Sequence, residues 1–374
     1  IPFRKEKGML RHKGFKSLQE LSSFLASFTP SDAYYSSAYY ENPSFEDMAG
    51  KGWLGADLIF DIDSDHLPTP CKNVHDKWKC LSCGFEGVGI EPESCPRCGG
   101  KKIEAEKWVC NLCLEAAKRE TLKLLSFLEE DFGFPPSRIE VVFSGHRGYH
   151  LHVSDSRVLK LGSEERKEIV DYVSASGLNI SILLPELGKV EFFQVDFTAE
   201  GWRGRLVKAA YSLLHKRKEE LEELGVPERL IKTIEEQREN LLRELDEGRL
   251  PKASRKFWEN LFREAVKLEA AAVDTVVTTD THRLIRLPGS LHGKTGLKVV
   301  KVSHERLPDF DPFTDAVAFP EEEKIKVFIV KSKPVRFKGV EYRFKAGELV
   351  EVPLPPALFL LGLKVARLPK QAGG

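Results

Sequence analysis

The stretch Asp57-Leu58-Ile59-Phe60-Asp61-Ile62-Asp63 alternates acidic and apolar residues over most of its length. Successive side chains of a strand point to opposite faces, so Leu58, Phe60 and Ile62 enter a core while Asp57, Asp61 and Asp63 project together from the other side. Two residues of rise separate Asp61 from Asp63 by roughly 7 Å at the backbone, close enough for both carboxylates to reach one pair of divalent cations. Hard oxygen ligands favour magnesium or manganese. A solvated acidic face on a half-buried strand is the plainer reading, and the motifs that flank the stretch weigh against it.

Working outward, the chain has 374 residues, enough for one large domain with smaller modules attached. Its 57 basic and 57 acidic residues cancel, so any surface for nucleic acid has to be a local basic groove. There is no apolar run long enough for a bilayer and no signal-like start, which implies a soluble, cytoplasmic protein without a membrane partner. The chain opens on Ile1 rather than Met, which implies residues upstream. Abundant charge with scarce Met fits a protein from a hot environment.

All seven cysteines fall between Cys71 and Cys113, mostly as Cys-x-x-Cys pairs, a metal pattern rather than a disulfide pattern. Cys80, Cys83, Cys95 and Cys98, in KCLSCG and SCPRCG, have the spacing of a zinc ribbon. Cys71, Cys110 and Cys113 lack a fourth ligand, and His75 supplies it. Two closed tetrahedra account for the odd cysteine and make the zinc structural rather than catalytic.

Coarse patterning gives a helix over 17–28 capped by Ser17, a strand over 34–40, and a glycine-rich turn over 50–55 before the Asp strand. A helix over 114–131 ends at Gly133 and Pro135-Pro136; a β-branched strand over 139–144 follows. Residues 164–272 read as mainly helical, with an exposed charge-alternating run over 216–247, and 273–302 as strand and turn. A strand-rich tail precedes a short apolar helix near 358–365.

Two basic turns stand out. Ser144-Gly145-His146-Arg147-Gly148-Tyr149-His150 offers a hydroxyl, two imidazoles and an arginine whose fork matches phosphate oxygens, with glycines that allow close backbone approach. The segment VDTVVTTDTHRLIRLPGSLHGKTG carries Asp274, Asp280, Arg283, Arg286, Ser290, His292 and Lys294. Paired carboxylates with two basic, glycine-containing turns are the parts needed to transfer a nucleotidyl group from a triphosphate.

In this order, FDID, the cysteine insertion, SGHRGYH and RLIRLPGSLHGKTG resemble the small catalytic subunit of the archaeal and eukaryotic type DNA primase, in its archaeal form. The resemblance covers the chain from the Arg11 region to about residue 320. It implies an α/β fold: a mixed-sheet primase catalytic core (1–65, 114–165 and 273–330), an inserted zinc-binding protrusion with two zinc sites (66–113), a mainly helical subdomain (166–272) and a small C-terminal β-rich module (331–374). That tail looks similar to a module of replication-fork assembly proteins, with a plain packing element as the equal alternative.

The implied activity is de novo synthesis of short primers on single-stranded DNA from nucleoside triphosphates, by two-metal-ion nucleotidyl transfer during DNA replication. A primase large subunit is the implied heterodimer partner, with other replication-fork proteins beyond it. Asp61 and Asp63 match the family's metal carboxylates, and the family's spacing to the RLIR arginine selects Asp274 over Asp280 as the third. Ser144, Arg147 and His150 match the first phosphate motif; Arg286, His292 and Lys294 match the second; Arg11 matches an N-terminal arginine near the nucleotide. His146 stands where the family often has an arginine, which leaves its charge dependent on its surroundings. The cysteine region is larger than the family's usual four-ligand knob. Two other functions fit parts of the pattern: a repair or translesion polymerase of the same superfamily, and a non-catalytic zinc-ribbon protein that binds nucleic acid.

Overall fold

The computed structural model describes residues 8–182, 184, 192–251 and 254–369; Ile1 lies outside them. The chain divides into two compact units, Ile1–Leu122 with Phe134–Lys167 and Ala272–Gly374, and Lys123–Gly133 with Glu168–Ala271.

The first unit opens with the helix Leu18–Phe28, where Ser17 accepts the Glu20 amide at 3.2 Å as its cap. β1 (Tyr34–Ser36) and β2 (Ala38–Tyr40) replace the single strand expected over 34–40. The break falls at Ser37, whose amide bonds to the carbonyl of Arg283 at 2.9 Å. β3 (Trp53–Ala56) pairs with β2, and β4 (Leu58–Asp63) is the Asp strand. The cysteine-rich insertion forms a small sheet of β5 (Lys77–Cys80), β6 (Glu86–Val88) and β7 (Ile103–Glu106), with β5 central. A helix over Asn111–Ser126 leads out of it. β8 (Ile139–Phe143) and β9 (Gly148–Val153) form a hairpin.

The second unit pairs β10 (Phe192–Gln194) with β11 (Arg249–Pro251) and carries the helices Gly201–His215, Lys218–Glu223, Glu228–Asp246 and Arg255–Glu269. The charge-alternating run is exposed on one face only: Leu230, Ile231, Ile234, Leu241 and Leu245 bury the other. Arg205 pairs with Asp131 at 2.8 Å and lies 3.9 Å above the Phe127 ring, so this buried charge is both neutralised and covered.

Back in the first unit, β12 (Leu284–Arg286) pairs with β1, and β13 (Val300–Val302) with β8. β14 (Lys324–Ile329), β15 (Val335–Phe337), β16 (Val340–Tyr342), β17 (Leu349–Pro353) and β18 (Ala366–Arg367) follow. The helix Leu354–Gly362 begins four residues earlier than its apolar pattern suggested, because Pro355 fits its first turn.

The central sheet runs β13-β8-β9-β4. The expectation of a mixed sheet is corrected here, since every strand pair among the described residues is antiparallel. β8 and β9 are joined by a turn too short for the crossover that parallel strands require. Leu58, Phe60 and Ile62 are fully buried, as the alternation requires, but so is Ile59 on the acidic face. There Ile59 packs with Val277, Ile285 and Tyr35. Asp57, just before β4, accepts the Tyr39 hydroxyl at 3.0 Å and the Ser154 hydroxyl at 2.9 Å. Among the described residues no helix is long and apolar enough to cross a membrane.

Candidate active site and metal centres

β4 presents Asp61 and Asp63 beside β9, with Asp61 opposite His150 and Asp63 opposite Gly148. The β-branched run expected as strand after Val273 instead forms a short helix, Thr275–Thr279, with Asp274 as its cap. One Asp274 oxygen accepts the Val276 amide at 2.8 Å and the Val277 amide at 3.3 Å, and this local capping overrides β-propensity. The Asp274 amide donates to the Asp61 carbonyl at 3.0 Å. Asp280 accepts the His282 amide at 2.9 Å. Burial first, then the charges of Asp63 and Asp274, push the Asp61 carboxyl up to about 7. Burial likewise raises Asp63, one oxygen of which accepts the Asp65 amide at 2.8 Å. Asp61 and Asp63, crowded and buried until they resist ionisation, together with Asp274, suit a divalent cation; Asp63 and Asp274 each have one oxygen already oriented by an amide.

The first basic turn closes through the Ser144 amide on the Gly148 carbonyl at 2.9 Å, and the Ser144 hydroxyl accepts the Gly148 amide at 3.3 Å. A side chain at 148 would start 1.8 Å from the Ile62 carbonyl, so glycine is required where the turn meets β4. Arg147 is fixed by an ion pair with Asp65 and by the Lys107 carbonyl at 3.1 Å. His150 lies 3.5 Å from Asp61, closer to the carboxylates than its assignment to phosphate implied, and burial pushes its imidazole down to about 3. Next to it His152 bonds the Tyr35 hydroxyl at 3.0 Å.

The second basic turn docks on the first. The Thr295 hydroxyl donates to the Gly145 carbonyl at 2.5 Å, and the rings of His146 and His292 lie 4.7 Å apart. Burial, then the positive charge of Arg286, pushes His292 down to about 3; burial and then the charge of any protonated His292 hold His146 well below its ordinary range. Both imidazoles are neutral at pH 7, so the charge there comes from Arg147, Arg286 and Lys294. Arg286 pairs with Asp32 at 2.5 Å. The Lys294 amide donates to His292 Nδ1 at 3.2 Å. Arg11 is exposed in the coil before the first helix and makes no hydrogen bond or ion pair among the described residues.

Buried side-chain atoms without a partner, among the described residues, all fall between His146 and His152: His146 Nε2, Arg147 Nε, Tyr149 OH, His150 Nδ1 and His152 Nε2. Tyr149 faces the core beside Phe143 and Phe310, whereas the free atoms of His146 and Arg147 lie in the first basic turn and that of His150 beside Asp61, where a polar ligand would satisfy them. Sequence reasoning missed Asp32, Asp65 and the Lys107 carbonyl, which hold the two arginines. Asp65 continues the every-second-residue acidic series and had a signal; Asp32 and a main-chain carbonyl had none.

The cysteine groups assemble as the spacing predicted. Cys71, His75, Cys110 and Cys113 place their ligand atoms within 4.8 Å of one another, as do Cys80, Cys83, Cys95 and Cys98. Sulfur separations are 3.4 Å for Cys71–Cys113 and 3.7 Å for Cys80–Cys98 and Cys83–Cys95. The edge of a tetrahedron around zinc with its usual thiolate bonds is about 3.8 Å, so both groups could hold that ion. The Gly84 amide bonds to the Cys80 carbonyl at 2.9 Å and the Gly99 amide to the Cys95 carbonyl at 2.8 Å, forming the two ribbon turns. At the other group His75 Nδ1 donates to Asp76 at 2.7 Å, leaving Nε2 for the metal, and Asp76 also accepts the Trp108 amide at 2.9 Å.

A family model described as DNA primase small subunit matches residues 90–303. The chain is 34% identical to the DNA primase small subunit PriS of Methanococcoides burtonii, over 94% of this chain and 86% of that protein. It is 35% identical to the PriS of Methanothrix thermoacetophila, over 95% and 88% of the two chains. With the PriS of Methanosarcina barkeri the figures are 36%, 96% and 87%.

Proposed function

This chain belongs to the DNA primase small-subunit family and is a DNA-directed, primer-synthesising nucleotidyltransferase; from that premise we propose how its residues divide the work. Asp61, Asp63 and Asp274 would hold a pair of magnesium or manganese ions. Bound there, the ions would supply an acidified primer 3′-hydroxyl and charge neutralisation on the leaving pyrophosphate. Arg147, Arg286 and Lys294 carry the positive charge that meets the triphosphate, and Ser144 and the neutral His146, His150 and His292 add hydrogen bonds. Arg11 approaches the nucleotide from the N-terminal coil. Positive groups held in place before the reaction stabilise the transition state, so no side chain is assigned as a dedicated general base.

Zinc in both cysteine groups is structural, since four protein ligands leave no open position for chemistry. A small subunit implies a larger partner subunit, single-stranded DNA as template and nucleoside triphosphates as substrates. The observation that carries this reading is the meeting of three carboxylates and two basic turns around one sheet face.

The test is incorporation of labelled ribo- or deoxynucleotides with magnesium or manganese on an unprimed single-stranded template. De novo oligomers are expected from the wild type and none from D61A/D63A. In a parallel reaction on a primed template, extension without de novo synthesis favours the repair polymerase, and incorporation by D61A/D63A removes these carboxylates from the reaction.

A further inference from the structure

Asp32 lies between the helix Leu18–Phe28 and β1, in a segment with no recognisable motif. One of its oxygens accepts from Arg286 Nη1 at 2.5 Å and from the Gly293 amide at 3.1 Å; the other accepts the Ser31 hydroxyl at 2.9 Å. Arg286 ends β12 and Gly293 sits in the turn beyond it, so one carboxylate ties the arginine to the main chain of the second basic turn. The Tyr34 ring lies 4.9 Å from the Arg286 guanidinium, and Tyr34 is also the register partner of Arg286. The Leu287 amide on the Ala33 carbonyl at 2.9 Å closes the same seam. A side chain at 293 would start 2.5 Å from the Asp32 carboxylate and 3.2 Å from the Ser31 carbonyl, so it would push the carboxylate off the turn.

A carboxylate beside a triphosphate site opposes binding unless its charge is already engaged. Here it is engaged by Arg286, and a guanidinium with five N–H donors keeps others for a phosphate. Arg147 is held the same way by Asp65, so each basic turn has its own carboxylate brace, separate from the metal carboxylates.

We infer that Asp32 is a positioning residue for the incoming triphosphate, holding Arg286 and the Gly293 turn so that the remaining donors converge on the phosphates. The inference rests on the phosphate-binding role proposed for Arg286.

The test is equilibrium titration of the full chain with ATP and with AMP, in wild type, D32N, R286A and the double variant. Asn keeps the size of Asp32 and removes its charge. The expected result is ATP affinity reduced about tenfold in D32N, AMP affinity unchanged, and a double variant no weaker than R286A alone. Wild-type ATP affinity in D32N, equal losses for ATP and AMP, or additive effects in the double variant would each overturn the positioning role. If R286A itself binds ATP as the wild type does, the phosphate reading falls and takes this inference with it. Weak ATP binding in R286A beside normal binding in D32N overturns the Asp32 inference alone.

Discussion

The Asp274 amide donates to the Asp61 carbonyl at 3.0 Å, a main-chain bond between segments far apart in sequence. It brings the third carboxylate to the strand that carries the other two. Asp274 also caps its own helix, so the proposed metal role of its carboxylate is separable from the cap. Serine retains a capping oxygen and cannot replace the anion, whereas alanine loses both, at a cost of about 1 kcal/mol for the cap. D274S should melt like the wild type and lose at least about a hundredfold in nucleotide incorporation, roughly 2.7 kcal/mol of barrier. D280S should remain active. Near-wild-type incorporation by D274S would remove Asp274 from the metal set.

The two cysteine groups should bind metal independently, because their ligands do not overlap. Metal analysis of the purified chain should find zinc at both, and C80S should lose the ribbon ion while keeping the other. H75A should lose the outer ion. It should also destabilise the chain, since the site fastens the segment Cys71–His75 to the start of the helix Asn111–Ser126. Full zinc content in C80S would sink the ribbon assignment.

The C-terminal helix Leu354–Gly362 packs against the second basic turn. A side chain at Gly362 would start 2.0 Å from the Lys294 carbonyl, and Leu358 packs beneath Gly296. G362V should therefore cost about 2 kcal/mol of stability through overpacking, read as a lower melting temperature, and should raise the KM for nucleotide. An unchanged melting temperature and KM would show that the helix Leu354–Gly362 does not support the turn.

Acid should destabilise the first unit through its buried imidazoles. Burial pushes His152 down to about 4, from an unfolded value near 6.5. Between these values the unfolded chain binds more protons, so stability rises with pH through this window and is lost as pH falls from about 6.5 to about 4. The loss from this one residue is about 3 kcal/mol at most. Urea unfolding of wild type and H152Q from pH 7.5 to 4.5 checks it: the variant should show a shallower decline, and parallel curves would refute the contribution of His152.

Much of the candidate site was legible in the sequence because it depends on short-range spacing. Asp61 and Asp63 share a strand face by alternation, and Cys-x-x-Cys pairs declare a tetrahedral site with His75 as the missing ligand. Ser17 announces its helix by capping. These features need only local geometry, and the chain supplies that locally.

Tertiary structure decided which distant segments meet and what each charge sees. The docking of Asp274 on the Asp61 carbonyl and of the second basic turn on the first followed from pairings between distant segments that no local pattern encodes. The neutrality of His146 and His292 comes from burial beside cations, and the bracing of Arg147 and Arg286 comes from Asp65 and Asp32. Electrostatic energies depend on distance and solvent exposure in the folded chain, and neither is written in residue order.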